Sequence, residues 1–117
     1  MENHKESPIM SHSLKFSISL MDYEKNLNPS QKSVVINQLI RSGTAIGAMV
    51  REAQGAESKK DFVHKMKIAY KEARETEYWL KIQENSYPSE RLSLLQDNVR
   101  QMILILGKIL STCARGS

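Results

Sequence analysis

Three clusters of turn-forming residues cut this chain into four stretches, and each stretch repeats its apolar residues with the period of a helix. The breakers are Asn26-Leu27-Asn28-Pro29-Ser30, Gly55-Ala56-Glu57-Ser58 and Asn85-Ser86-Tyr87-Pro88-Ser89. Between them, apolar positions recur every three or four residues rather than every two. Ser58 followed by Asp61, and Ser89 followed by Glu90, have the chemistry of helix starts: a hydroxyl cap and an acid in the first turn. Four helices on short connections fold most simply as an all-α, antiparallel up-down four-helix bundle. The bundle is expected over residues 11–113, with 1–10 a flexible N-terminal segment and 114–117 a C-terminal tail. A chain of 117 residues supports one modest core, so self-association is a natural further source of burial.

The first helix, about Ser11 to Lys25, carries two apolar stripes. One is Phe16, Leu20, Tyr23 and Leu27, the other Leu14, Ile18 and Met21, and together they read as one wide core face. The second helix, about Gln31 to Gln54, places Ile36, Leu39, Gly43, Ile46, Val50 and Ala53 at core spacing. Gly43 and Gly47 in its middle each cost about 1 kcal/mol of helix stability relative to Ala. Close approach of another helix would offset that cost, and the pair is assigned to contact with a second copy of the chain. Arg41, Ala45, Ala48 and Glu52 form a neighbouring face, small in the middle and charged at its ends.

The third helix, about Ser58 to Gln83, has a core stripe of Phe62, Met66, Ala69, Ala73, Thr76 and Leu80. Opposite it, Lys60, Lys67, Lys71, Arg74 and Tyr78 fall within about 80° of arc. Residues 59 to 71 hold five Lys and a single acid, Asp61. They account for the whole net charge of +4, since the remaining residues balance twelve against twelve. Such a stripe can follow phosphates, and it can equally be a solvated helix face. Glu72 and Glu75 lie between the two stripes, beside Ile68 and Trp79, and a partly buried carboxylate there needs a cation. Arg41 and Arg74 are the candidates, and Arg41, Glu52, Glu72 and Glu75 are assigned to a structural polar network.

In the fourth helix, about Ser89 to Ser111, Leu92, Leu95, Val99, Met102, Leu106, Ile109 and Cys113 make an unbroken seam. Leu94 and Ile105 lie off it, and Ile103 and Leu104 widen the apolar arc. A four-helix bundle has no central helix, so this excess points to subunit contact.

The residues needed for several chemistries are missing. His4, His12 and His64 show no ligand spacing with one another or with Cys113, and no Glu-x-x-His pair or Gly-rich phosphate loop is present. No Arg stands one or two helical turns before a His, the pairing that helical-bundle ribonucleases use. A single cysteine excludes an internal disulfide framework and fits a reducing compartment. The longest strictly apolar run is Met102–Leu106, far below the roughly 20 residues of a membrane span. The polar first ten residues are unlike a secretory signal. A cytoplasmic, non-enzymatic protein with no metal, no cofactor and no membrane partner is expected.

The central residues carry a resemblance. They run Gln38-Leu39-Ile40-Arg41-Ser42-Gly43-Thr44-Ala45-Ile46-Gly47-Ala48, then Val50-Arg51-Glu52-Ala53-Gln54-Gly55-Ala56-Glu57-Ser58-Lys59 to Asp61-Phe62. After these come Lys65-Met66-Lys67-Ile68-Ala69 and Lys71-Glu72-Ala73-Arg74-Glu75-Thr76-Glu77-Tyr78-Trp79-Leu80. The pattern closely resembles the bacterial four-helix-bundle family of 23S rRNA intervening-sequence proteins, also known under a ribosomal-protein name. It extends over about residues 12 to 112 and is most specific from Arg41 to Leu80. Ala45 and Met49 depart from it, since the family commonly has Ser and Asn there.

The resemblance implies an antiparallel up-down bundle that assembles as a homopentamer, with no enzymatic activity. It also implies kinship with the accessory variability determinants of diversity-generating retroelements, which are basic pentamers that bind nucleic acid and a reverse transcriptase. The expected function is therefore a homo-oligomeric bundle that binds RNA or DNA through Lys60, Lys67, Lys71, Arg74 and Tyr78. Gly43, Gly47, Leu94 and Ile105 would face neighbouring subunits. A protein-interaction scaffold is the alternative.

Overall fold

A serine caps each of the four α-helices among the described residues. The computed structural model describes residues 7–116. Its helices are α1 (Pro8–Lys25), α2 (Val34–Ala53), α3 (Lys59–Ser86) and α4 (Glu90–Arg115), with one 3-10 turn at Pro29–Gln31. The side chains of Ser7, Ser33, Ser58 and Ser89 accept hydrogen bonds from the backbone N–H of Met10, Val35, Asp61 and Leu92. Each thereby satisfies a donor that the helix itself leaves unpaired, typically worth about 1 kcal/mol.

The helices form the expected four-helix bundle. Helices adjacent in sequence pack on each other, α1 closes the ring against α4, and the backbones of the diagonal pairs stay apart. The core is a stack of one inward stripe per helix. It runs through Phe16 and Leu20 of α1, Leu39, Ile46 and Val50 of α2, Met66 and Leu80 of α3, and Leu92, Val99, Met102 and Leu106 of α4. Two buried polar pairs interrupt it. The hydroxyls of Ser42 and Thr76 lie 2.8 Å apart, joining α2 to α3, and Thr76 also bonds the Glu72 carbonyl. Gln83 donates to the Tyr23 hydroxyl at 3.1 Å, joining α3 to α1.

Four expectations change. The first helix begins at Pro8 rather than Ser11, because Ser7 caps it and Pro8 has the fixed φ suited to a first helical position. Ile9 is buried, so residues 8–10 belong to the bundle rather than to a flexible segment, and α4 likewise continues to Arg115. Residues 1–6 and 117 lie outside the described residues. The second stripe of α1 is not core: Leu14, Ile18 and Met21 are 45, 60 and 48% exposed. The glycine pair of α2 faces α1 of the same chain. A Cβ on Gly43 would lie 2.3 Å from Leu20 Cδ2, and one on Gly47 would lie 3.4 Å from the Ser13 carbonyl oxygen. Gly43 is buried there, and the close approach that the glycines allow lies inside the protomer.

Candidate nucleic-acid interface

The basic stripe of α3 is exposed along its full length: Lys60, Lys67, Lys71, Arg74 and Tyr78 all face solvent. The cause is rotational. Met66, Ala69, Ala73, Thr76 and Leu80 turn inward, so residues half a turn away must point outward. The stripe is nevertheless divided by its surroundings.

At the start of α3 the acid of Asp61 is used locally. Ser58 caps the helix, and Asp61 folds back to accept the Glu57 N–H at 3.2 Å. That backbone bond, with Lys65 and His64 beside it, holds the Asp61 carboxyl below its ordinary range. Lys65 is taken up by Asp61 at 3.4 Å and leaves the outward face. Lys60, Lys67 and Lys71 form no ion pair among the described residues. Lys60 and Lys67 also line an open pocket of about 540 Å³ where the start of α3 meets the end of α4. Lys59, Val63, His64, Leu110, Cys113 and Ala114 complete its walls. Cys113, expected to close the core seam, is only half-buried and lies at this pocket.

Farther along, the same stripe is neutralised. Arg74 and Tyr78 line a separate groove of about 820 Å³ between α3 and α4. Arg74, Lys81 and Arg100 there face Glu77, Glu84 and Asp97. Arg74 pairs with Glu77 at 3.5 Å, and Arg100 with Asp97. Four of the five stripe residues therefore fall at two sites, one cationic and one charge-balanced, with Lys71 between them along the helix.

The polar network between α2 and α3 forms around Arg41. Its guanidinium bonds Glu72 at 3.4 Å and also Glu75, while its Nε donates to Gln38 at 2.9 Å. Trp79 Nε1 donates to Glu75 at 2.9 Å. Arg41, rather than Arg74, is thus the cation that both carboxylates receive. Glu52 is exposed, about three turns along α2 from Arg41, and takes no part. Each carboxylate here is already committed to holding α2 against α3.

Of the remaining assignments, Leu94 is 58% exposed and Ile105 is half-buried against the core. Leu104, off the seam, is 73% exposed. No helix among the described residues is long and apolar enough to cross a membrane. The pocket beside Lys60 was not visible in the sequence as a unit, although Lys60, Val63, His64 and Lys67 do recur at helical spacing.

Residues 5–108 match the family described as 23S rRNA-intervening sequence protein. The chain belongs to this family. A solved structure supports the same placement: a protein of unknown function from the S23 ribosomal protein family of Bacteroides thetaiotaomicron VPI-5482. It is 34% identical, superposes with a TM-score of 0.80, and the match covers 87% of this chain and 97% of that one. No curated protein matches the sequence. For this intervening-sequence family member, the family fixes the fold, and the function must be argued from the surface.

Proposed function

We propose that this intervening-sequence family protein is a non-enzymatic, homo-oligomeric bundle that binds RNA or other nucleic acid through the first half of α3. The observation that carries the reading is the row Lys60, Lys67 and Lys71: exposed, without ion-pair partners among the described residues, and within the segment that holds the chain's entire net charge. Cations so placed exchange condensed counterions for phosphates, with no base readout required. The resemblance to accessory variability determinants of retroelements points the same way. It also supports a pentamer, in which the charge of one chain is multiplied fivefold and attracts a polyanion over a longer range. Arg74 and Tyr78, in the balanced groove, contribute less than their place on the stripe suggests. A cytoplasmic location suits a partner of this kind.

The exposed apolar side chains of α1 and α4 favour self-association; of the α4 residues assigned to it, Leu94 is exposed and Ile105 half-buried, and the exposed Leu104 lies beside Ile105. They also support the second reading, a scaffold that docks a protein partner without touching nucleic acid. A gel shift with RNA at two salt concentrations separates the two. Binding weakened by salt and by Lys67→Glu with Lys71→Glu is expected. Binding indifferent to both overturns the nucleic-acid reading, and so does a pull-down that keeps a protein partner but loses all nucleic acid. A solution mass of 13.4 kDa, the single chain, overturns the oligomer.

A further inference from the structure

The pocket between the start of α3 and the end of α4 differs in chemistry from the rest of the surface. Val63, Leu110, Cys113 and Ala114 make the apolar part of its lining, and Lys59, Lys60, Lys67 and His64 the basic part. Its volume of about 540 Å³ lies within the usual range of small-ligand sites, roughly 300–1,000 Å³. The positive end of the α3 dipole and the negative end of the α4 dipole meet here and offset each other. The attraction for anions therefore comes from the side chains. The larger groove farther along α3 has no such asymmetry, because its acids match its bases.

We propose that this pocket receives one unpaired nucleotide, its base lying against Val63, Leu110 and Ala114 and its phosphate held by Lys60 and Lys67. The proposal rests on the nucleic-acid reading and deepens it, since it selects an unpaired nucleotide over a stacked one. A flat base is largely apolar on its faces and needs an apolar lining, whereas its phosphate needs mobile cations beside it. Paired bases inside a duplex cannot present that combination. Lys71 stands one turn beyond Lys67, about 6 Å along the helix, and extends the cationic row away from the pocket. A strand leaving the pocket thus continues over a lysine rather than over the Glu77 and Asp97 of the neighbouring groove.

Cys113 provides the test, because it is the only cysteine in the chain and lines the pocket. The rate of its alkylation by iodoacetamide is measured in the full-length protein alone, with AMP, with a short single-stranded RNA and with a blunt RNA duplex. Gel shifts under the same conditions report binding independently. Single-stranded RNA at about ten times its Kd is expected to slow alkylation about tenfold, as occupancy dictates. The duplex is expected to leave the rate unchanged. Single-stranded RNA that shifts in the gel but leaves Cys113 as reactive as before overturns the pocket and spares the nucleic-acid reading. Protection by AMP without any RNA shift supports the pocket chemistry and overturns strand binding. Neither protection nor shift overturns both. A second variant guards against indirect effects: Ala114→Trp, at an exposed position, fills the pocket without burdening the core. Its affinity for single-stranded RNA is expected to fall while duplex affinity holds, and an unchanged single-strand affinity overturns the proposal.

Discussion

The first half of α3 sets five lysines against Asp61 and Glu72, while the second half sets Arg74 and Lys81 against Glu75, Glu77 and Glu84. Both halves turn the same helical face to solvent, and both border α4. They differ in what stands beside the cations. Around Lys60 and Lys67 the α4 wall is Leu110, Cys113 and Ala114, which offer no counter-charge. Around Arg74 the wall includes Asp97, and Glu77 lies one turn away on α3 itself. A stripe drawn on a helical wheel is thus not a stripe of potential. The neighbouring helix decides where it stays positive.

The sharpest way to break this contrast is to reverse charges in each half separately. Lys60→Glu combined with Lys67→Glu is expected to weaken binding to single-stranded RNA about 100-fold at low salt, on the order of 1.4 kcal/mol per lost charged contact. Arg74→Glu is expected to stay within about threefold of the unmutated protein, since that arginine already serves Glu77. Equal losses, read by gel shift, would show the stripe acting as one surface.

Salt sharpens the same point. With three phosphate contacts to a single strand, affinity is expected to fall about twentyfold between about 50 and 200 mM salt. Lys67→Glu should flatten that dependence, whereas Arg74→Glu should leave the slope as it is. A slope unaffected by Lys67 would move the contact elsewhere.

Stability measurements check that the contrast belongs to the surface and not to the fold. The charge reversals are expected to change unfolding free energy by no more than about 0.5 kcal/mol. Gly43→Ala, by contrast, is expected to lose about 1–2 kcal/mol in denaturant titration, because its Cβ must displace the packed Leu20 side chain. Gly47→Ala meets only ordinary contacts and should gain up to about 1 kcal/mol from helix propensity. A stabilised Gly43→Ala would mean that α1 and α2 are packed more loosely than described.

The smallest effect concerns Asp61. Its carboxyl lies below the ordinary carboxylate range in the folded chain, so it favours folding once it is ionised. That contribution is present in full above the unfolded carboxyl's range and is lost as pH falls through the lower folded value. Proton titration by NMR should therefore show Asp61 protonating below the ordinary aspartate range, with the start of the helix fraying only then. An ordinary titration would remove the Glu57 N–H bond from the description.

Much of the fold was legible because α2, α3 and α4 each have one dominant apolar stripe, and periodicity alone orients such a helix. α1 has two stripes, and nothing in its sequence says that Ile18 faces water while Leu20 faces Phe16 and Gly43. Its start was legible in retrospect from Ser7-Pro8, a cap followed by a residue suited to the first helical position. The glycine pair announced a close approach but not its partner, which required knowing which face of α2 meets α1. Arg41 and Glu75 were legible as partners because a half-buried acid needs a cation. The pocket was not, since it depends on the register between residues about 47 positions apart, Val63 and Leu110 being on facing helices.

The central claim is that nucleic acid lies over the first half of α3, and photo-crosslinking reads that position directly. Single-stranded RNA carrying a photoreactive base is bound to the full-length protein, irradiated, and the crosslinked peptides are mapped by mass spectrometry. Crosslinks concentrated in residues 59–71 and 110–115 are expected. Crosslinks spread equally over residues 74–84 and 93–100, or confined to α1 and α2, would contradict the claim.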